Sequence, residues 1–169
     1  LALREQGKAA TEGRGRSEKC AYVLATVGLA GHSPVGPGTL GALVALPFIW
    51  WSGLMPFTAQ LVVAVLLTGI AIWASQRYVD AFAKPDDDPG EVVIDEFAGV
   101  FVTALFVPHS WAWIIAAFVA FRFFDIVKPW PVSWLDRTLK GGLGIVLDDI
   151  AAGLSAGALL LLINVFLFV

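Results

Sequence analysis

Charge is scarce in this chain, and it is withheld unevenly. No Asp, Glu, Lys or Arg occurs between Cys20 and Gln76, nor within residues 97–121, nor within residues 150–169. At 58% hydrophobic and 15% charged, the 169 residues are too apolar for an ordinary water-soluble domain. Cysteine is almost missing: Cys20 alone excludes an internal disulfide and a cysteine metal cluster. It heads no Cys-x5-Arg phosphatase loop either, because Thr26 stands where the Arg would be. No basic stripe is present, which argues against a nucleic-acid partner. A cleavable signal is missing as well, since no short apolar core closed by small residues follows the charged start. The chain opens on Leu1 rather than Met, as a trimmed N-terminus would.

What is there reads as an all-α, polytopic membrane protein of about four to five membrane helices. Residues 1–19 carry Arg4, Lys8, Arg14, Arg16 and Lys19 and suit a mobile cytoplasmic tail. Residues 20–169 then form a single membrane-embedded domain. The expected spans are 57–76, 92–107, 111–124 and 150–169, with 39–51 as a fifth. That last run is short of the roughly 20 residues a crossing needs. The seven Trp lie mostly near span ends, as an interfacial aromatic belt requires. If 39–51 crosses, segments 1–38, 77–91 and 125–149 share one face, and all 11 Lys and Arg lie on it or, as Arg122 does, just inside it. That face is expected to be the cytoplasm.

The remaining charges gather where apolar sequence makes them costly. Between Phe121 and Gly153 lie Arg122, Asp125, Lys128, Asp136, Arg137, Lys140, Asp148 and Asp149. Asp95 and Glu96 stand inside another apolar segment, and adjacent buried carboxylates repel unless a cation joins them. Asp86 and Asp87 suit a solvated loop. Arg122, Asp125 and Lys128 recur at a spacing of three, which serves a self-paired stripe or a carboxylate between two phosphate-binding cations. Asp136-Arg137 is compatible with a surface ion pair. Gly141-Gly142-Leu143-Gly144 reads as a flexible turn, leaving Asp148-Asp149 to cap the last span. Gly36-Pro37-Gly38-Thr39 opens a helix and offers either a change of direction or backbone N–H groups and the Thr39 hydroxyl to a phosphate. His32 suits a loop or interface position.

Five carboxylates, Asp95, Glu96, Asp125, Asp148 and Asp149, suit Mg²⁺, which prefers oxygen ligands and shares them with phosphate. The same acids, Asp148 excepted, are the candidates for activating an attacking water. Thr39, Arg122, Lys128 and Arg137 are the candidates for holding phosphoryl oxygens.

The segments SPVGPGTLGALVALP (33–47), VVIDEFAG (92–99), FRFFDIVKPWP (121–131) and GGLGIVLDDIAAG (141–153) together resemble bacterial phosphatidylglycerophosphatase A. They occur in family order within a frame covering about residues 20–165. The resemblance implies a Mg²⁺-dependent enzyme of the bacterial inner membrane. Such an enzyme removes the terminal phosphate of phosphatidylglycerophosphate, and its active site faces the cytoplasm. Gly36, Ala42 and Ile94 depart from the usual family residues, and none of these removes a charged group. The partner implied is a phospholipid in the membrane. A small divalent-cation transporter using the same carboxylates is the alternative from another class. It would place acids near mid-membrane with access from both faces, whereas here one face is bare of charge.

Overall fold

The computed structural model describes Gly7, residues 9–84 and residues 88–168, and it is helical throughout, with no strand among the described residues. In chain order the helices are α1 (Arg16–Ala25), a short 3-10 turn (Ala30–His32), α2 (Pro37–Ser52) and α3 (Phe57–Phe82). There follow α4 (Ile94–Ala104), α5 (Trp111–Val127), α6 (Val132–Thr138) and α7 (Gly141–Phe168). Asp86 and Asp87 lie outside the described residues. Within the stretch expected to be a tail, α1 begins at Arg16 and Arg14 sits 4.8 Å over the Phe82 ring of α3.

The boundaries follow from local chemistry. Pro37 occupies the first turn of α2, where its missing N–H costs nothing, and Gly36 takes the left-handed conformation (φ +53°) that turns the chain into the helix. Ser110 caps α5 by accepting a hydrogen bond from Trp113 N at 3.4 Å. Lys128 ends α5 in a left-handed conformation, and a cis Trp130–Pro131 bond leads into α6.

α7 is the central element, packed against α3, α4, α5 and α6. Its seam with α4 depends on glycine. A Cβ on Gly153 would collide with the Gly99 carbonyl, so the two backbones meet directly there. Thr103 Oγ1 of α4 locks the seam by donating to Gly153 O at 3.2 Å, shared with Gly99 O at 3.0 Å. Small residues and a buried hydroxyl between helices are what lipid-embedded packing favours. Phe121, Val100, Ile114 and Ala152 fill one core, and Tyr22, Tyr78, Val79 and Val146 fill another.

Outward, α3 exposes Val62, Val65, Leu66 and Ile70, and α7 exposes Leu154, Leu159, Leu161 and Leu162. Phe57–Phe82 and Gly141–Phe166, 26 residues each, are long and apolar enough to cross a membrane. Pro37–Ser52 is a shorter apolar helix, and α4 has 11 residues. Length and composition therefore support two crossings among the described helices, and the count of four to five read from the sequence is not confirmed by them.

The start of α7 is a second difference. Gly141 carries the turn (φ +65°), but Gly142 and Gly144 already belong to the helix, nine residues before the expected span. Gly142 lies flush on α3: its N–H donates to Gln76 Oε1 at 2.8 Å, and a Cβ would overlap the Gln76 backbone. These glycines give close approach rather than flexibility. As a result Asp148 and Asp149 lie inside α7 rather than capping it.

Candidate active site

Three helices deliver acids to one place. Asp95 and Glu96 occupy the first turn of α4, where the positive end of the helix dipole favours them. That end is fixed by Val93 N donating to Ala25 O at 2.8 Å. Asp149 comes from α7, one turn before Gly153. One ligand oxygen from each of Asp95, Glu96 and Asp149 lies within 4.8 Å of the others. Asp125 of α5 joins the group through Arg122, which contacts both Asp125 and Glu96.

One guanidinium serves this group. Arg122 Nη1 donates to Asp125 Oδ2 at 2.5 Å and stands 3.7 Å from Glu96 Oε1. Asp95 Oδ1, Glu96 Oε2, Asp149 Oδ2 and Arg122 Nε are buried and have no hydrogen-bond partner among the described residues. Burying four carboxyl groups around one cation is unfavourable, and orphaned anionic oxygens add to the cost. A divalent cation removes both penalties, and the all-oxygen donor set fits one. The buried cluster is therefore a fit site for a metal ion.

The Gly-rich turn borders the same space. Gly38, second residue of α2, sits against Glu96 and Arg122. A Cβ there would overlap Glu96 Oε1 and come within 3.3 Å of Arg122 Nη1. Thr39 follows at the same helix end, whose free N–H groups no side chain caps. Gly38 was not singled out from the sequence, although the GPGT motif contains it.

Other expected site residues are placed differently. Lys128 does not line up with Arg122, because its left-handed backbone swings it off the α5 face. Its Nζ donates to Asp148 Oδ2 at 2.6 Å and also to Asp136. Burial alone would lower the Lys128 pKa, but these two carboxylates more than offset that and raise it above the ordinary lysine value. Asp148 thus turns to Lys128 and away from the three gathered acids. Asp136, the expected partner of Arg137, is taken by Lys128 instead, and Arg137 is exposed. His32 pairs with the Tyr22 hydroxyl at 2.7 Å. A cavity of about 120 Å³ is lined by Asp88, Asp136, Leu139, Lys140, Ile145 and Asp148.

Comparison with known proteins adds the lineage of this arrangement. The family model described as Phosphatidylglycerophosphatase A matches residues 23–164. Phosphatidylglycerophosphatase A of Escherichia coli is 41% identical over 140 residues, covering 82% of this chain and 80% of that protein. A Bacteroides thetaiotaomicron protein provisionally named phosphatidylinositol-3-phosphatase is 44% identical over 133 residues, 73% of this chain and 80% of its own. Phosphatidylglycerophosphatase A of Haemophilus influenzae is 50% identical over 70 residues, 41% of this chain and 43% of that protein. No solved structure matches the chain.

Proposed function

Because the chain belongs to the phosphatidylglycerophosphatase A family, we propose that its acidic cluster is the centre of a Mg²⁺-dependent lipid phosphatase. The substrate is phosphatidylglycerophosphate, and the products are phosphatidylglycerol and inorganic phosphate. The observation that carries the metal-dependent reading is the convergence of Asp95, Glu96 and Asp149, with their orphaned oxygens, beside Arg122.

In this reading Asp95, Glu96 and Asp149 hold Mg²⁺, and Asp125 stands behind Arg122. When bound, the cation supplies charge neutralisation and polarises a phosphoryl oxygen. Arg122 is oriented by Asp125 through one nitrogen, which leaves Nε free to donate to the phosphate. The N–H groups and the Thr39 hydroxyl at the start of α2 face the same anion, favoured by the helix dipole. Catalysis then rests on donors already in place where charge develops on the phosphoryl oxygens. Lys128 spends its hydrogen bonds on Asp136 and Asp148 and serves as a positioning residue.

The setting we propose is a bacterial inner membrane, crossed several times, with the site on the cytoplasmic side. Two long apolar helices and the lipid-like exposed surface of α3 and α7 support it. The cation-transport alternative finds no support, since the relatives carry phosphatase names.

Purified protein in detergent, given phosphatidylglycerophosphate, is expected to release phosphate with Mg²⁺ and to stop when the metal is chelated. Release unaffected by chelation would remove the metal from the reaction. No release under either condition would remove the activity.

A further inference from the structure

Asp148 and Asp149 are neighbours in sequence yet serve different spaces, because successive residues of a helix point about 100° apart. Asp149 joins the metal cluster. Asp148, the residue before it and only 5% exposed, lines a cavity of about 120 Å³ together with Asp88, Asp136, Lys140 and Ile145. Lys128 holds one of its oxygens; the other, Oδ1, is buried with no hydrogen-bond partner among the described residues.

Resting on the phosphatase reading above, we infer that this cavity is the subsite for the small polyol that carries the scissile phosphate. Asp148 Oδ1 accepts a hydrogen bond from that polyol's free hydroxyl. A buried acceptor without a partner calls for a donor, and a hydroxyl supplies one without adding charge. Three carboxylates against Lys128 and Lys140 leave the surroundings net negative, which disfavours a second phosphate there. The carboxylates lining this cavity do not form a ligand set as compact as Asp95, Glu96 and Asp149, which disfavours a second directly bound metal. The volume equals about four waters, room for a three-carbon polyol. The head-group glycerol of phosphatidylglycerophosphate is such a group, and its hydroxyl lies one carbon from the one bearing the phosphate ester.

The test compares two lipids: phosphatidylglycerophosphate, and the analogue whose head-group glycerol lacks the free hydroxyl. The wild-type enzyme is expected to favour the hydroxylated lipid in kcat/KM by about tenfold or more, the lower end of what a hydrogen bond to a charged group contributes. In Asp148→Asn that ratio falls to about threefold or less, whatever happens to the absolute rate. A role for Asp148 confined to holding Lys128 would slow both lipids alike and keep the ratio, and that result overturns the inference. Equal use of both lipids by the wild type overturns it as well. Leu139→Phe narrows the same cavity from a half-buried position and lowers the ratio too, so the test survives a misfolded Asp148 variant. Absence of phosphate release from either lipid takes down the phosphatase reading and this subsite together. Equal release from both takes down the subsite alone.

Discussion

Arg122 and Lys128 are both basic residues of one motif, but their surroundings give them unlike roles. Arg122 uses the geometry of its fork, one edge on Asp125 and one free, which an ammonium cannot copy. Arg122→Lys is therefore expected to lose about 100-fold or more in kcat while the protein stays folded. Near-normal kcat in that variant would reduce Arg122 to a neutraliser of Asp125. Lys128→Met instead strands Asp148 and is expected to cost about 1–2 kcal/mol of stability, tempered because Lys128 is partly solvated. The lysine pKa is raised in the fold, so while its two carboxylate partners are ionised this stabilisation is fully present below the ordinary lysine value and fades above it. The difference in thermal stability between Lys128→Met and wild type is thus expected to hold steady from about pH 7 to pH 9. A difference that shrinks across that window would mean the pair is not what Lys128 contributes. The gathering of Asp95, Glu96 and Asp149 was legible in sequence because acids in apolar runs advertise an unusual cost. The diversion of Lys128 was not legible. Helical spacing assumes a helix that continues, and α5 stops at Val127.

At the scale of elements, the charge-free run at 111–124 announces α5, and the Gly36-Pro37-Gly38-Thr39 turn announces α2. The start of α7 escaped the same reading because glycine clusters usually mark turns. Here Gly142 is required by contact with Gln76 of α3, a residue 66 positions away, and no local pattern encodes that. Gly142→Val is expected to force α3 and α7 apart and to cost about 1–3 kcal/mol by overpacking. Thermal unfolding in detergent measures it. Gly90→Ala, with nothing within 4 Å of its new methyl group, is the matched control and should change little.

For the whole molecule, the distribution of charge makes a statement about sidedness. Gln76, at the edge of the charged 77–91 segment, accepts a hydrogen bond from Gly142 of the 125–149 segment. The two segments are expected to react from the same face with a membrane-impermeant thiol reagent in a Cys20→Ser background, since Cys20 is the one native thiol. Labelling of the two segments from opposite faces would break the single-site arrangement. A second whole-molecule expectation concerns the cation. Divalent metal should stabilise the wild type by about 2.7 kcal/mol at a hundred times its Kd, read as a higher unfolding temperature. Asp95→Asn and Asp149→Asn should lose both that gain and nearly all activity. An undiminished gain in both variants would place the metal elsewhere.

The bare contact between Gly99 and Gly153 also acts as a gauge. Asp95 lies one turn from Gly99, and Asp149 one turn from Gly153. The distance at which the two backbones touch therefore sets how far apart the two carboxylates can reach. Oxygen–metal distances are about 2.0–2.1 Å for Mg²⁺ and about 2.3–2.6 Å for Ca²⁺, so widening the seam by a few tenths of an ångström is enough to favour the larger ion. Gly153→Ala inserts one methyl group where none fits, a helical turn from the nearest carboxylate and touching none of them. It is expected to shift thermal stabilisation by metal from Mg²⁺ toward Ca²⁺. Two hydrogen atoms in the middle of the bundle would then be what chooses the ion.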